Sequence, residues 1–307
     1  MILHHQTQRT ATHVGWLDRG VIAPGYLADL NVIDMDRLAL LPPHIAADLP
    51  AGGTRLLQHA VGYVATIKRG VVTVAEGFVK AGARVYIASR DAEVLGQTAE
   101  RISEFGECIA IPADLGTVEG VHALAAEITR REQQVHVLVN NSGTARGGPI
   151  DTYSAEGFER VMNVNQKGVF VLTQQLLPLL HAAASSADPA RVINIGSVNG
   201  ITSPKVGANN WAYSASKAGV HMLTKHLALD LATEHIAVNA VAPGPFETKM
   251  MAHVYNDPAL HEALEKRIPL HRSGEPDAAA GATIFLASRA GSFLTGVVLP
   301  VSGGIEL

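Results

Sequence analysis

Arg191-Val192-Ile193-Asn194-Ile195-Gly196-Ser197 is the stretch that decides the fold class of this chain. It is a β-branched, apolar run that ends in Gly-Ser. It lacks polar–apolar alternation, so a strand built from it is covered on both faces. Similar short runs recur at Arg84–Ala88, Cys108–Pro112, Val135–Val139, Ile236–Val241 and Gly296–Val301. Between most of them lie stretches of helical period, Ala92–Glu104, Val118–Arg131 and Tyr213–Thr233. Buried strands alternating with helices predict a parallel sheet with helices on both faces. Right-handed connections make that a doubly wound α/β fold. Ala182–Ala190 reads as a helix end and loop.

Upstream of about residue 75 the pattern changes. Turn clusters at Ala23-Pro24-Gly25, Leu41-Pro42-Pro43 and Pro50-Ala51-Gly52-Gly53 separate the apolar runs Leu30–Ile33, Val61–Ile67 and Gly70–Val74. That predicts short antiparallel strands with loops. The segment holds too little apolar surface to form a strong core alone. The expected organisation is therefore a small β-rich segment over residues 1–74 and an α/β domain over 75–307.

Composition narrows the function classes. The 307 residues are 47% hydrophobic, too apolar for disorder. A net charge of −4 argues against nucleic-acid binding by bulk charge. A single cysteine, Cys108, excludes an internal disulfide framework and a multi-cysteine zinc site. The histidines are scattered and His4-His5 are adjacent, so no metal site is expected. Met1–Gln6 lacks the apolar run of a signal peptide, and no apolar run is long enough to span a membrane. A soluble, cytoplasmic protein is the expectation.

Three strand ends, one helix start and one helix interior carry the chemistry. Tyr213-Ser214-Ala215-Ser216-Lys217 opens an amphipathic helix, with Tyr213 and Lys217 four apart on one face. A cation one turn away favours the phenolate, making Tyr213 a candidate proton donor or acceptor. Ser197 ends a buried parallel strand and faces the crevice where α/β folds bind ligands. Val137-Leu138-Val139 runs into Asn140-Asn141-Ser142-Gly143, where amides can tie strands together and the glycine admits a cofactor. Val164-Asn165-Gln166-Lys167-Gly168 puts a poor helix former inside an apolar helix, as a holder of water or backbone. Ala242-Pro243-Gly244-Pro245-Phe246-Glu247-Thr248 follows a buried strand with a rigid turn, as a cofactor-covering loop would.

Together these residues resemble the short-chain dehydrogenase/reductase family, and within it the 3-oxoacyl-carrier-protein reductases, from about Ala75 to Leu307. Asn140-Asn141-Ser142-Gly143 is similar to the family's Asn-Asn-Ala-Gly motif, and Asn165, Ser197, Tyr213 and Lys217 match its catalytic set. The resemblance implies hydride transfer between a nicotinamide cofactor and a carbonyl or alcohol substrate. It implies Tyr213 as acid/base and Lys217 as the group that lowers its pKa and holds the ribose. Ser197 would orient the carbonyl and Asn165 would position a relay water. Asn141, Ser142, Gly143, Pro243, Gly244 and Thr248 would contact the cofactor, with Pro243-Gly244 and Thr248 at the nicotinamide amide. Asp114-Leu115 would sit at the adenine, although Asp114 also reads as an N-cap.

The strand before the first of these contacts ends in Ser89-Arg90 instead of an acidic residue, which favours NADP over NAD. Helices near Gly157–Leu180 and Tyr213–Thr233 would build a homodimer or homotetramer. Ser203–Trp211 and Phe246–Arg272 would form the substrate region, with Trp211, Phe246, Met250 and Met251 lining it.

One family element is missing. Thr-Gly-x-x-x-Gly-x-Gly, the loop whose amides bind the pyrophosphate, should sit near residues 64–71, which read Val64-Ala65-Thr66-Ile67-Lys68-Arg69-Gly70-Val71. The expected fold is thus a Rossmann-like sheet without its first strand and Gly-rich loop, and weakened cofactor binding is the alternative reading. Asp18–Asp34, Leu49–Gly53 and Gly62–Thr73 instead resemble the C-terminal segment of D-aminoacylase-type amidohydrolases.

Overall fold

The computed structural model describes residues 74–307 except 205, 206 and 248–250, with backbone alone at 252 and 253. Before residue 74 it describes the backbone of six short strands. The chain divides into two compact units, Met1–Val71 with Lys80–Ala83, and Val72–Val79 with Arg84–Leu307.

The first unit is a nest of antiparallel pairs. β1 (Leu30–Ile33) pairs with β6 (Tyr63–Ile67), β2 (Ala39–Leu40) with β5 (Ala60–Val61), and β3 (His44–Leu49) with β4 (Gly53–Leu57). The short antiparallel strands expected there are present at Leu30–Ile33 and within Val61–Ile67. The third expected run, Gly70–Val74, lies outside the described residues except for Val74, which starts a helix.

In the second unit α1 (Val74–Lys80) leads to β7 (Val85–Ser89), α2 (Ala92–Ser103) and β8 (Cys108–Pro112). Then come α3 (Val118–Arg131), β9 (Val137–Asn140), α4 (Ala155–Met162) and α5 (Gly168–Ala183). The chain continues through β10 (Ala190–Ile195), α6 (Trp211–Leu231) and β11 (Ile236–Pro243). It ends with α7 (Ala252–Tyr255), α8 (Pro258–Glu265), α9 (Pro276–Ala287) and β12 (Val298–Val301). Local chemistry sets several starts. Asp91, Thr117 and Ser154 cap α2, α3 and α4 by accepting from backbone N–H groups at 3.1, 3.0 and 3.1 Å.

β9 to β12 form a parallel sheet in the order β12-β11-β10-β9. Alternate residues of β10 show why apolar residues occupy both of its faces. Val192 joins Leu172, Leu176 and Leu180 of α5 on one face, while Ile193 joins Val241 and Leu286 of α9 on the other. Each fully buried Leu or Ile contributes about 1.5–3 kcal/mol.

β7 and β8 form a separate parallel pair. A single continuous sheet was the simpler expectation; among the described residues the ladder is broken between β7 and β9. In a doubly wound sheet the first strand is central, between the second and fourth. β7 and β9 hold those flanking positions, so the break falls where the missing strand belongs. The helix expected over Gly157–Leu180 is also interrupted. A π-turn at Asn163–Lys167 separates α4 from α5 and carries Asn165.

Candidate active site

Because β9, β10 and β11 run parallel, their C-terminal ends share one edge of the sheet. Buried amides lock that edge. Asn140 Nδ2 donates to Asn194 Oδ1 at 2.8 Å and to Thr173 Oγ1 at 3.1 Å. Asn194 Nδ2 donates to Thr224 Oγ1 at 2.9 Å. The ladder joins β9 and β10 to α5 and α6, and all four side chains are buried. An unsatisfied buried amide costs about 1–3 kcal/mol, so this chain of bonds holds the strand ends in register.

Asn165 is 1% exposed. Its Oδ1 accepts from the Thr144 N–H at 2.8 Å, and its Nδ2 donates to the Thr144 carbonyl at 2.9 Å and Ser216 Oγ at 3.0 Å. Both amide hydrogens are therefore taken by protein atoms. The side chain acts as a backbone holder that clamps the loop after β9 onto α6.

Ser197 follows β10 in extended conformation. Its Oγ accepts from the Asn199 N–H at 3.2 Å, and its hydroxyl lies near enough to the Tyr213 phenol to favour the phenolate. Lys217 is buried, with Nζ 5.8 Å from the Tyr213 ring centroid and donating to the Ile195 carbonyl at 2.7 Å. Burial lowers the Lys217 amine to about 8. Burial also raises the Tyr213 phenol above its ordinary value, and the bond to Ser197 opposes this only in part. The expectation that Lys217 pulls Tyr213 down is corrected on this point. The ammonium donates to the Ile195 carbonyl, and the shift of the phenol is set first by desolvation of the phenolate. Burial thus favours the protonated phenol of Tyr213.

The remaining expected residues fall into two sets. Asn141, Ser142 and Gly143 follow β9, and a Cβ on Gly143 would meet Lys217 Nζ at 3.6 Å and Asn165 Oδ1 at 3.7 Å. Gly143 thus borders Lys217 and Asn165. Pro243 ends β11, and Gly244 donates to the Val301 carbonyl at 2.9 Å. A Cβ on Gly244 would fall 2.7 Å from Ser302 Cα, which requires glycine there. Thr248 and Met250 lie outside the described residues.

The ends of β7 and β8 are looser. Ser89 and Arg90 are exposed, and Arg90 makes no ion pair among the described residues. Asp114 is exposed and its Oδ1 accepts from the Gly116 N–H at 2.9 Å. The N-cap of α3 is Thr117, so the capping role read for Asp114 is corrected to a turn two residues long. The Leu115 carbonyl abuts Gly168, where a Cβ would sit 2.6 Å away.

In the expected substrate region, Trp211 is 44% exposed and its Nε1 donates to the Gly148 carbonyl at 3.0 Å. Phe246 is instead buried against Gly274, so it packs the loop and does not line a pocket.

Sequence reasoning missed Asn194, Thr173, Thr224 and Ser216. Asn194 was visible as an amide flanked by Ile193 and Ile195 inside a largely apolar strand. The threonines carried no signal, since a hydroxyl inside a helix commonly bonds its own backbone.

The model of a family described as enoyl-(acyl carrier protein) reductase matches residues 70–306. The chain belongs to the short-chain dehydrogenase/reductase family. A second family model, that of the amidohydrolases, matches residues 1–74. A rhamnolipids biosynthesis 3-oxoacyl-[acyl-carrier-protein] reductase from Pseudomonas aeruginosa is 46% identical over 76% of this chain and 91% of its own length. A 3-oxoacyl-[acyl-carrier-protein] reductase from Aquifex aeolicus is 34% identical over 81% of this chain and 98% of its own. Among solved structures, the Pseudomonas aeruginosa RhlG/NADP active-site complex superposes with a TM-score of 0.74 at 46% identity, covering 76% of this chain and 91% of that one. A Burkholderia cenocepacia gluconate 5-dehydrogenase in complex with NADP and tartrate gives 0.69 at 33% identity, covering 76% and 89%. As a short-chain dehydrogenase/reductase, the chain is of an oxidoreductase family whose relatives act on small molecules. No helix among the described residues is long and apolar enough to cross a membrane.

Proposed function

We propose that this chain is an NADP-dependent carbonyl reductase of the cytoplasm, acting on a small ketone, sugar or acyl thioester. The observation that carries the reading is the Ser197 hydroxyl beside the Tyr213 phenol, with the buried Lys217 ammonium 5.8 Å from the tyrosine ring. The relatives' names include oxoacyl and sugar substrates, which supports that range of carbonyl compounds without choosing among them.

The donor set fits the nicotinamide and ribose end of the cofactor. Lys217 Nζ lies beside the open edge of Gly143, and Gly244 is backed closely by Ser302. The exposed Arg90 guanidinium suits a 2′-phosphate. NADPH, when bound, would supply the hydride. The protein's own residues do the rest. Ser197 Oγ orients the substrate carbonyl by donating to its oxygen. Tyr213 donates its phenolic proton to that oxygen as negative charge develops there. Lys217, protonated below about pH 8, binds the ribose hydroxyls and steadies the phenolate left on Tyr213. Asn165 keeps the loop after β9 seated on α6.

A second reading is favoured by one observation, the lack of a Gly-rich loop at residues 64–71. Without those amides the pyrophosphate loses its main donors, and the chain keeps the fold while binding cofactor weakly. We take the boundary between the two segments to lie at residues 74 and 75. We further propose a homodimer or homotetramer through α4–α6, where exposed Phe170, Met222 and Leu229 and a groove of about 420 Å³ beside Phe170 and Leu223 leave apolar surface open. A carbonyl-reduction assay with NADPH, comparing the wild type with Tyr213→Phe, tests the function. Turnover lost in the variant supports it, and turnover unaffected by the change refutes the acid/base role.

A further inference from the structure

His221 lies one turn beyond Lys217 on α6 and is 6% exposed. None of the roles assigned above uses it. Its ring fills the space under the Gly196–Gly200 turn that carries Ser197. A Cβ on Gly196 would fall 2.1 Å from its Nε2, and one on Gly200 would fall 2.8 Å from its Cε1. Two glycines therefore let the imidazole close on the turn from below.

The Ser197 N–H points at Nε2 from 3.4 Å and has no other partner among the described residues. Buried backbone donors are almost always paired, so the long contact is the one that satisfies this amide. A ring nitrogen that accepts must be unprotonated, which puts the ring proton on Nδ1. The Gly200 backbone takes a bond from the ring. Burial holds the imidazole below its ordinary pKa, and Lys217 and Lys225 push the same way. The turn it faces, Gly196-Ser197-Val198-Asn199-Gly200, carries no ionisable side chain to oppose them.

We propose that His221 is a positioning residue for Ser197. Its neutral ring spans the Ser197 amide and the Gly200 backbone, and so fixes the turn that aims Ser197 Oγ at Tyr213. The turn needs such a brace. The Gly196 N–H is anchored to the Val241 carbonyl at 2.7 Å, and the Gly200 N–H closes on the Ser197 carbonyl at 2.9 Å, but Ser197 itself is held between two residues of unusual backbone freedom. The role in catalysis rests on the reading of Ser197 and Tyr213 as the reacting pair. The brace itself does not.

The test uses the full chain, with His221→Leu to remove the acceptor and His221→Gln to offer an amide oxygen in its place. Nitrogen NMR of the labelled histidine ring reads the tautomer, and hydrogen exchange reads the Ser197 amide. The expected results are a neutral ring protonated at Nδ1 in the wild type, and Ser197 exchange about tenfold faster in the leucine variant but not in the glutamine variant. In the reduction assay the leucine variant should lose roughly tenfold to a hundredfold in kcat, with the KM for NADPH unchanged and much of the loss restored by glutamine. A proton on Nε2 overturns the proposal. So does a leucine variant whose Ser197 exchange stays within twofold of the wild type. A wild type without turnover counts against the reductase reading, while the tautomer and exchange results still decide the role of His221.

Discussion

The ends of β9–β11 and the ends of β7–β8 belong to one family edge, yet they are built differently. The first set is braced by buried side chains, Asn140, Asn194, Thr173, Thr224, Asn165 and Lys217, each with a protein partner. The second set presents exposed Ser89, Arg90 and Asp114. Between them the sheet ladder is broken among the described residues, at the position of the absent first strand. The difference separates two requirements of a reductase. On the proposed reading, proton donation depends on a desolvated, rigid cluster that the chain retains. Cofactor grip depends on a phosphate loop that its sequence does not contain.

The sharpest way to break this contrast is at the retained cluster. Tyr213→Phe should lower kcat for carbonyl reduction by about 10²–10⁴-fold, the usual worth of a positioned acid, with the melting temperature little changed. A smaller loss would mean that another group donates the proton.

The pH profile comes next. Burial disfavours the charged form of Lys217 and brings its amine to about 8. The cation is therefore present below that pH and lost above it, whereas Tyr213, shifted upward, stays protonated through the same range. The reductive kcat/KM should hold below pH 8 and fall by up to about tenfold per unit above it. Lys217→Arg should remove that limb, because guanidinium keeps its charge.

Stability should divide along the same line. Asn140→Leu leaves Asn194 Oδ1 without its partner in the core and should cost about 1–3 kcal/mol in urea unfolding. Asp114→Ala, at an exposed turn, should cost less than about 1 kcal/mol. Equal costs would show that the two edges are equally rigid. The smallest effect is expected at Arg90. Arg90→Asp should shift the ratio of NADPH to NADH affinity several-fold toward NADH, about 1 kcal/mol for an exposed charge.

Much of this architecture was readable beforehand, for identifiable reasons. Val118–Arg131 and Cys108–Pro112 fall where periodicity and β-branching predict them, because burial on one helical face or both strand faces leaves a strong pattern. Tyr213 and Lys217 could be placed on one helix face from their spacing, and the neighbouring motifs at Ser197 and Asn140–Gly143 gave that pair its meaning. The π-turn at Asn163–Lys167 could not, since it differs from helix by one residue of register and leaves the apolar period almost intact. The direction of the Tyr213 shift was also hidden. It depends on how deeply the phenol is buried and on where the Lys217 ammonium points, and both are tertiary facts. The braces formed by Thr173, Thr224 and Ser216 join residues 30–51 positions apart, beyond the reach of local sequence patterns.

The central claim, a complete proton-donating cluster beside an incomplete phosphate grip, is tested most directly by equilibrium binding of NADPH to the purified full chain. Dissociation constants well above the micromolar range are predicted, with the reacting side chains intact. Ordinary micromolar affinity would contradict the account, because it would require pyrophosphate donors that residues 64–71 do not supply.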